Sequence, residues 1–254
     1  MVVTNPGITW YGCHALNTSP RPADIFYEGI CLHTTAGGST IEGLAAWFAG
    51  GNIQAGMRGS TTHGVDRAGK IGEFVRPYSN VIPIANGQES GSTAYLVRVN
   101  PGISANAYTL NIEHLDAGTP GSLTDVQFQR TIHLCAYLWQ EFIAPYAHIT
   151  NAAIDLDHIV QHKDFAPASR PFCASWPQAR MQTVINGMRA MLAPPEPEPI
   201  PPDPEPIPPT PAPVTDWEIK YGQLDREVEQ WLQDDAIGAE MRRQRLAELR
   251  VWQP

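Results

Sequence analysis

The sequence predicts a mixed α/β domain, a proline-rich linker after it, and a short C-terminal helical segment. Three observations carry this: β-rich stretches at 25–34, 61–66, 70–75 and 108–114, helical stretches at 40–49, 124–142 and 176–192, and twelve of the 24 prolines gathered between Pro194 and Pro213. At 43% hydrophobic and 17% charged over 254 residues, the chain can fill one core and carry something smaller beside it. That excludes a collagenous or wholly disordered protein.

Residues 25–34 alternate and are rich in β-formers. Ser39 or Thr40 caps the helix that follows. The strands at 61–66 and 70–75 flank Arg67-Ala68-Gly69, a turn that predicts a hairpin. Residues 77–107 are rich in Asn, Gly and Ser and read as a long loop of the sort that lines a site. A strand over 108–114 and helices over 124–142 and 176–192 complete the domain, set at residues 1–193. In the linker, 194–214, EPIPPDP is followed directly by EPIPPTP, and polyproline II at ~3.1 Å per residue makes it a semi-rigid spacer of ~60 Å. In the last segment, 215–254, Thr215 and Glu218 form a capping-box pattern ahead of Trp217, Tyr221, Leu224, Val228 and Trp231, a heptad seam. The two tryptophans of the seam cannot be buried by forty residues alone, so self-association, folding back on the main domain, or binding to an outside surface such as a cell-wall polymer is expected here.

The formal charge of −9 is unevenly spread: residues 1–193 hold 11 basic and 13 acidic side chains, the linker only 4 acidic ones, and the final segment 6 basic and 9 acidic. A nearly neutral domain without a Lys/Arg cluster gives no electrostatic basis for nucleic acid or anionic lipid as partner. No apolar run reaches the ~18 residues that span a bilayer. Residues 1–12 lack the basic cluster and apolar stretch of a signal peptide, so the expected location is the cytoplasm. Cys13, Cys31, Cys135 and Cys173 include no CxxC pair and form no disulfide framework.

His33 ends a strand and opens into Thr34-Thr35-Ala36-Gly37-Gly38, which leaves room at its side chain. Between His162 and Cys173 lie two prolines and Arg170. Imidazole and thiolate are good zinc ligands, and a proline-stiffened loop can return the one to the other. Two neutral imidazoles and one thiolate around Zn²⁺ would leave a charge of +1 and an open fourth position, the pattern of a catalytic site. His158 and His162 have i, i+4 spacing, but their surroundings are β-rich, so only one can bind; His162 is preferred and His158 is structural. Asp164 orients the loop or substitutes for Cys173. His63 lines the groove or packs. His14, His114, His133 and His148 belong to no motif. A cysteine hydrolase using Cys31 or Cys173 is the different chemical class, but Cys31 and His33 project in parallel from one strand face and do not meet.

In their order, Cys31-Leu32-His33-Thr34-Thr35-Ala36-Gly37, the run Thr62 to Ile71, Asn111-Ile112-Glu113, and the segment His162 to Cys173 resemble the zinc-dependent N-acetylmuramoyl-L-alanine amidases of type 2, over roughly residues 20–190. The resemblance implies a mixed central β-sheet flanked by helices, with zinc in a groove along one face. It implies His33, His162 and Cys173 as ligands, Glu113 as catalytic acid/base and Arg170 as the basic residue facing the oxyanion. The implied substrate is peptidoglycan, cut between N-acetylmuramic acid and L-alanine, in a phage endolysin or, alternatively, a cytosolic muropeptide-recycling amidase or a binding protein without activity. The sequence departs from the family in having Ala174-Ser175 where Pro-Gly is frequent, arginine for lysine at 170, and Thr62 where tyrosine is common.

Overall fold

The computed structural model describes residues 2–194 apart from 36, 120 and 121. The linker and the heptad segment lie outside the described residues. Six strands form the central sheet in the order β1-β5-β4-β7-β3-β8: β1 (Ile8–Trp10), β3 (Gly29–Thr35), β4 (His63–Val65), β5 (Ile71–Glu73), β7 (Thr109–Leu115) and β8 (Ile159–Gln161). Within this sheet, among the described residues, only the β4–β5 pairing is antiparallel, the hairpin expected from Arg67-Ala68-Gly69. A second, two-stranded sheet joins β2 (Thr18–Pro20) to β6 (Val81–Pro83).

The long central strands β3 and β7 are parallel, and their register pairs Leu32 with Ile112 and His33 with Glu113. Ile30, Leu32, Leu110 and Ile112 join the largest core cluster with Leu134, Leu138, Val184 and Met188. The alternate residue Cys31 instead packs with Leu96, Tyr108 and Phe165. The period-2 alternation of a strand thus divides one face for packing from another that is free to carry chemistry.

Helix Asp125–Leu138 starts at a full capping box between Thr124 and Gln127 and continues as a wide turn over Trp139–Ile143, which accounts for the longer helix expected from sequence. It packs against helix Gln178–Leu192. Thr40 caps helix Ile41–Ala46, its hydroxyl accepting from the Gly43 amide. Residues 77–107 are more structured than the loop expected: they contain β6, the short helix Tyr95–Val99 and most of the helix Ala105–Tyr108, and Leu96, Ala105 and the following Tyr108 are buried. Among the described residues no helix is long and apolar enough to cross a membrane.

Gly29 opens β3 beside His158, the residue before β8, and a Cβ there would collide with the His158 carbonyl oxygen and the Leu96 side chain. The carbonyl is backbone and has nowhere to go. Gly29→Ala should therefore cost about 1–3 kcal/mol by urea denaturation, the range of an overpacked site. Gly91→Ala, with open space around it, should stay within about 0.5 kcal/mol.

Candidate functional site

A cleft of about 890 Å³ opens at the C-terminal ends of β3 and β7. His33, Glu113, His162, Arg170 and Cys173 all line it, so the five residues expected at the site share one cavity. The parallel register fixes the first two as neighbours. His162 arrives from the end of β8, at the start of the short helix His162–Phe165. Asp164 accepts from the Gln161 amide at 2.9 Å and so caps that helix, which is the orienting role.

Cys173 is returned to the sheet by a pinned loop. Its amide donates to Arg170 O at 3.1 Å, the Ala174 amide donates to Thr34 Oγ1 at 3.0 Å, and Glu89 accepts from the Ala168 and Ser169 amides at 2.9 and 2.7 Å. Cys173 Sγ then lies 3.8 Å from His33 Nδ1, and the ligand atoms of His33, His162 and Cys173 are all within 4.8 Å of one another. Ligands at Zn–N and Zn–S lengths around a tetrahedral ion sit about 3.3–3.8 Å apart, so the cluster needs only a small contraction to hold one.

Burial sets the protonation states of these groups. Burial, then the neighbouring His162, holds His33 well below the usual histidine range, and burial followed by the Arg170 charge brings His162 down to about 4. Both imidazoles are thus neutral, the ligating form. Burial, with Glu113 adding to it, pushes the Cys173 thiol up to about 12, a cost that a divalent cation reverses. Glu113 is half-buried, and burial with the Asp116 charge behind it raises its carboxyl to about 8.

Other residues take different places. Arg170 is exposed at the cleft rim, its guanidinium donating to Ser169 O at 3.2 Å, rather than enclosed in a dry interior. His158 is structural: Nδ1 bonds Asp155 at 2.7 Å. His63 is buried and does not line the cleft, because its register partner is Ile112, on the core face of β7. Cys31 is wholly buried among apolar side chains, and burial raises its thiol well above the usual range, which removes it as a nucleophile. Sequence reasoning did not single out Asp116, Asn86 or Gly87, whose amide lies 3.1 Å from His162 Nε2. Nor did it find the exposed apolar lip of Trp47, Met57 and Phe172.

A carboxyl poised near neutrality beside two neutral imidazoles and a sulfur, all at one end of a mixed sheet, is the equipment of a hydrolase. The chain belongs to the N-acetylmuramoyl-L-alanine amidase family, whose sequence model matches residues 22–176. It is accordingly an amidase of peptidoglycan. No curated protein matches it. Among solved structures, a selenomethionine derivative of AmpD shares the fold at a TM-score of 0.50 and 20% identity, over 72% of this chain and 99% of that one. A mutant endolysin from Bacillus subtilis gives 0.48 and 15%, over 74% and 99%. The endolysin N-acetylmuramoyl-L-alanine amidase LysCS from Clostridium intestinale gives 0.47 and 17%, over 72% and 98%.

Two buried histidines besides His33 and His162 contribute to acid lability. Burial brings His63 down to about 3 and His114 to about 4, the latter between His33 O and Thr131 Oγ1. An unfolded imidazole titrates near 6.5, so below that pH the unfolded chain binds protons that the folded one refuses. Their contribution is complete above about pH 6.5 and is lost as pH falls toward 4 and then 3. Denaturation midpoints should drop over this window, and His63→Gln should flatten part of the drop.

Proposed function

We propose that the chain is a zinc-dependent peptidoglycan amidase of the phage-endolysin kind, with His33, His162 and Cys173 as ligands, Glu113 as acid/base and Arg170 as the cation for the oxyanion. The observation that carries it is the convergence of three donor atoms within 4.8 Å beside a carboxyl from the register partner of a ligand. Zn²⁺ bound there supplies Lewis acidity toward the carbonyl and water of lowered pKa.

Glu113 does the proton work. A carboxyl raised to about 8 by burial and by Asp116 can both accept and return a proton near neutral pH. It takes a proton from the attacking water as the oxygen bonds the lactyl carbonyl carbon. It delivers that proton to the alanine nitrogen as the carbon–nitrogen bond breaks. Arg170, carried on the same loop as Cys173, turns from Ser169 O toward the carbonyl oxygen as substrate covers the rim and thins the water there. Trp47, Met57 and Phe172, exposed apolar side chains that line the cleft, offer surface for substrate to cover.

The linker and the aromatic segment favour a lytic role, since cutting small soluble fragments needs neither a spacer nor an anchor. In that role the enzyme is made in the host cytoplasm and reaches the wall on release, and the seam from Trp217 to Trp231 serves attachment or self-association.

Purified sacculi incubated with the full chain should yield new L-alanine amino termini, lost on chelation and restored by Zn²⁺. New reducing sugar ends would overturn the bond assignment. Glu113→Ala should lower turnover by about 10²–10⁴-fold and keep its zinc. His162→Ala should lose the metal itself, read by elemental analysis.

A further inference from the structure

Behind His33 stand two asparagines, Asn86 and Asn111, neither of which lines the cleft. Asn111 Oδ1 is 3.1 Å from His33 Nε2, and Asn86 donates to the same oxygen from Nδ2 at 2.7 Å. Both are buried.

We infer that Asn86 and Asn111 are positioning residues that keep the His33 proton on Nε2 and so leave the Nδ1 lone pair bare on the side of Cys173. The purpose rests on the metal-centre reading above; the geometry does not.

The orientation of each amide follows from its neighbours. Thr109 Oγ1 donates its one proton to Ala105 O at 2.6 Å, so toward Asn86 it can only accept, at 2.9 Å. This commits the Asn86 nitrogen, whose second proton goes to Asn111 Oδ1. On its other side Asn111 donates from Nδ2 to Thr109 O at 3.1 Å. A flipped Asn111 would set its NH₂ against the Asn86 NH₂ and its oxygen against the Thr109 carbonyl. The atom facing His33 is therefore an acceptor, and the imidazole must donate to it. A neutral imidazole carries a single N–H, so Nδ1 has none, and Nδ1 is the atom 3.8 Å from Cys173 Sγ.

The loop bearing Asn86 is itself anchored. Asn106 Oδ1 accepts from the Ala85 and Asn86 amides at 3.1 and 2.7 Å. An oxygen held in this way orients the ring and raises its basicity, and loss of such a partner typically lowers metal affinity about ten- to a hundredfold.

The test uses ¹⁵N-labelled, metal-free full chain, with the His33 ring nitrogens read by long-range proton–nitrogen spectra. Wild type and Asn111→Asp should show the proton on Nε2. Asn86→Ala, which removes one of the two contacts that orient the Asn111 amide and leaves that to Thr109 O, should shift part of the proton population toward Nδ1. Titration against a chromophoric chelator should show zinc bound about ten- to a hundredfold more weakly by Asn86→Ala and Asn111→Leu, whereas Asn111→Asp, which keeps the oxygen, binds at least as tightly as wild type. A purely structural pair would not separate Asn111→Asp from Asn111→Leu in this way. A wild-type proton on Nδ1 overturns the inference, as does Asn86→Ala with tautomer and affinity unchanged. Should Asn86→Ala not fold, the wild-type spectrum decides. A wild type that takes up no zinc removes the metal-centre reading alone, and the metal-free spectrum still decides the pair.

Discussion

The parallel pairing of β3 with β7 is the constraint on which the rest depends. A strand sends alternate side chains to opposite faces, so a single register sets Leu32 and Ile112 into the core while presenting His33 and Glu113 together. A slip of one residue would bury the histidine and the carboxyl among Leu134, Leu138 and Val184, and would turn two aliphatic residues to the cleft. Hydrophobic burial therefore places the cleft residues: the register is fixed by the core, and His33 and Glu113 come to stand side by side in the cleft as a consequence. The adjacent pairing of β8 with β3, Leu32 opposite Gln161, delivers His162 one residue further along.

Burial also sets the charge states. The two imidazoles and the thiol are all held in their neutral forms by the same low-polarity surroundings. For the imidazoles this is the state a cation needs; for the sulfur it is the opposite. A site of this kind favours the charge that a divalent ion brings, because loading the ion relieves the penalty on the thiolate and leaves the carboxyl of Glu113 with a nearby positive charge.

Much of this was legible in the sequence, for identifiable reasons. β3, the β4–β5 hairpin, β7 and the three main helices have strong alternation, a turn or a cap. Imidazole alone did not sort eight histidines; the resemblance carried by their segments led to expecting His33, His162 and Cys173 together, and the structure brings their donor atoms within 4.8 Å. What was not legible has a physical cause as well. β1, β2 and β6 are three residues long, too short for a period to register. The structure within 77–107 rests on buried Leu96, Ala105 and Tyr108, a tertiary pattern rather than a local one. His63 falls on the core face through its pairing with Ile112, which no local spacing reveals. Asn86 and Asn111 are 25 residues apart and meet only through the fold.

The loop that brings Cys173 home shows how the departures from the family pattern are accommodated. Ala174 has φ of +51°, a left-handed conformation that costs a residue with a Cβ about 1–2 kcal/mol. It is nevertheless fully buried, so its methyl group is packed, and its amide is satisfied by Thr34 Oγ1. Two residues on, the Trp176 amide donates to Gln161 Oε1 at 2.6 Å and the indole, almost fully buried, stacks edge-on to His114. The sharp turn at Ala174 is what lets one chain segment put a sulfur in the cleft and an indole in the core within four positions. Proline stiffness upstream contributes less than these fixed points: the loop is held at both ends by β3 and β8, the two strands that also carry or precede its partner imidazoles. Sulfur position is thereby tied, through the bond of the Ala174 amide to Thr34 Oγ1, to the same strand that carries His33.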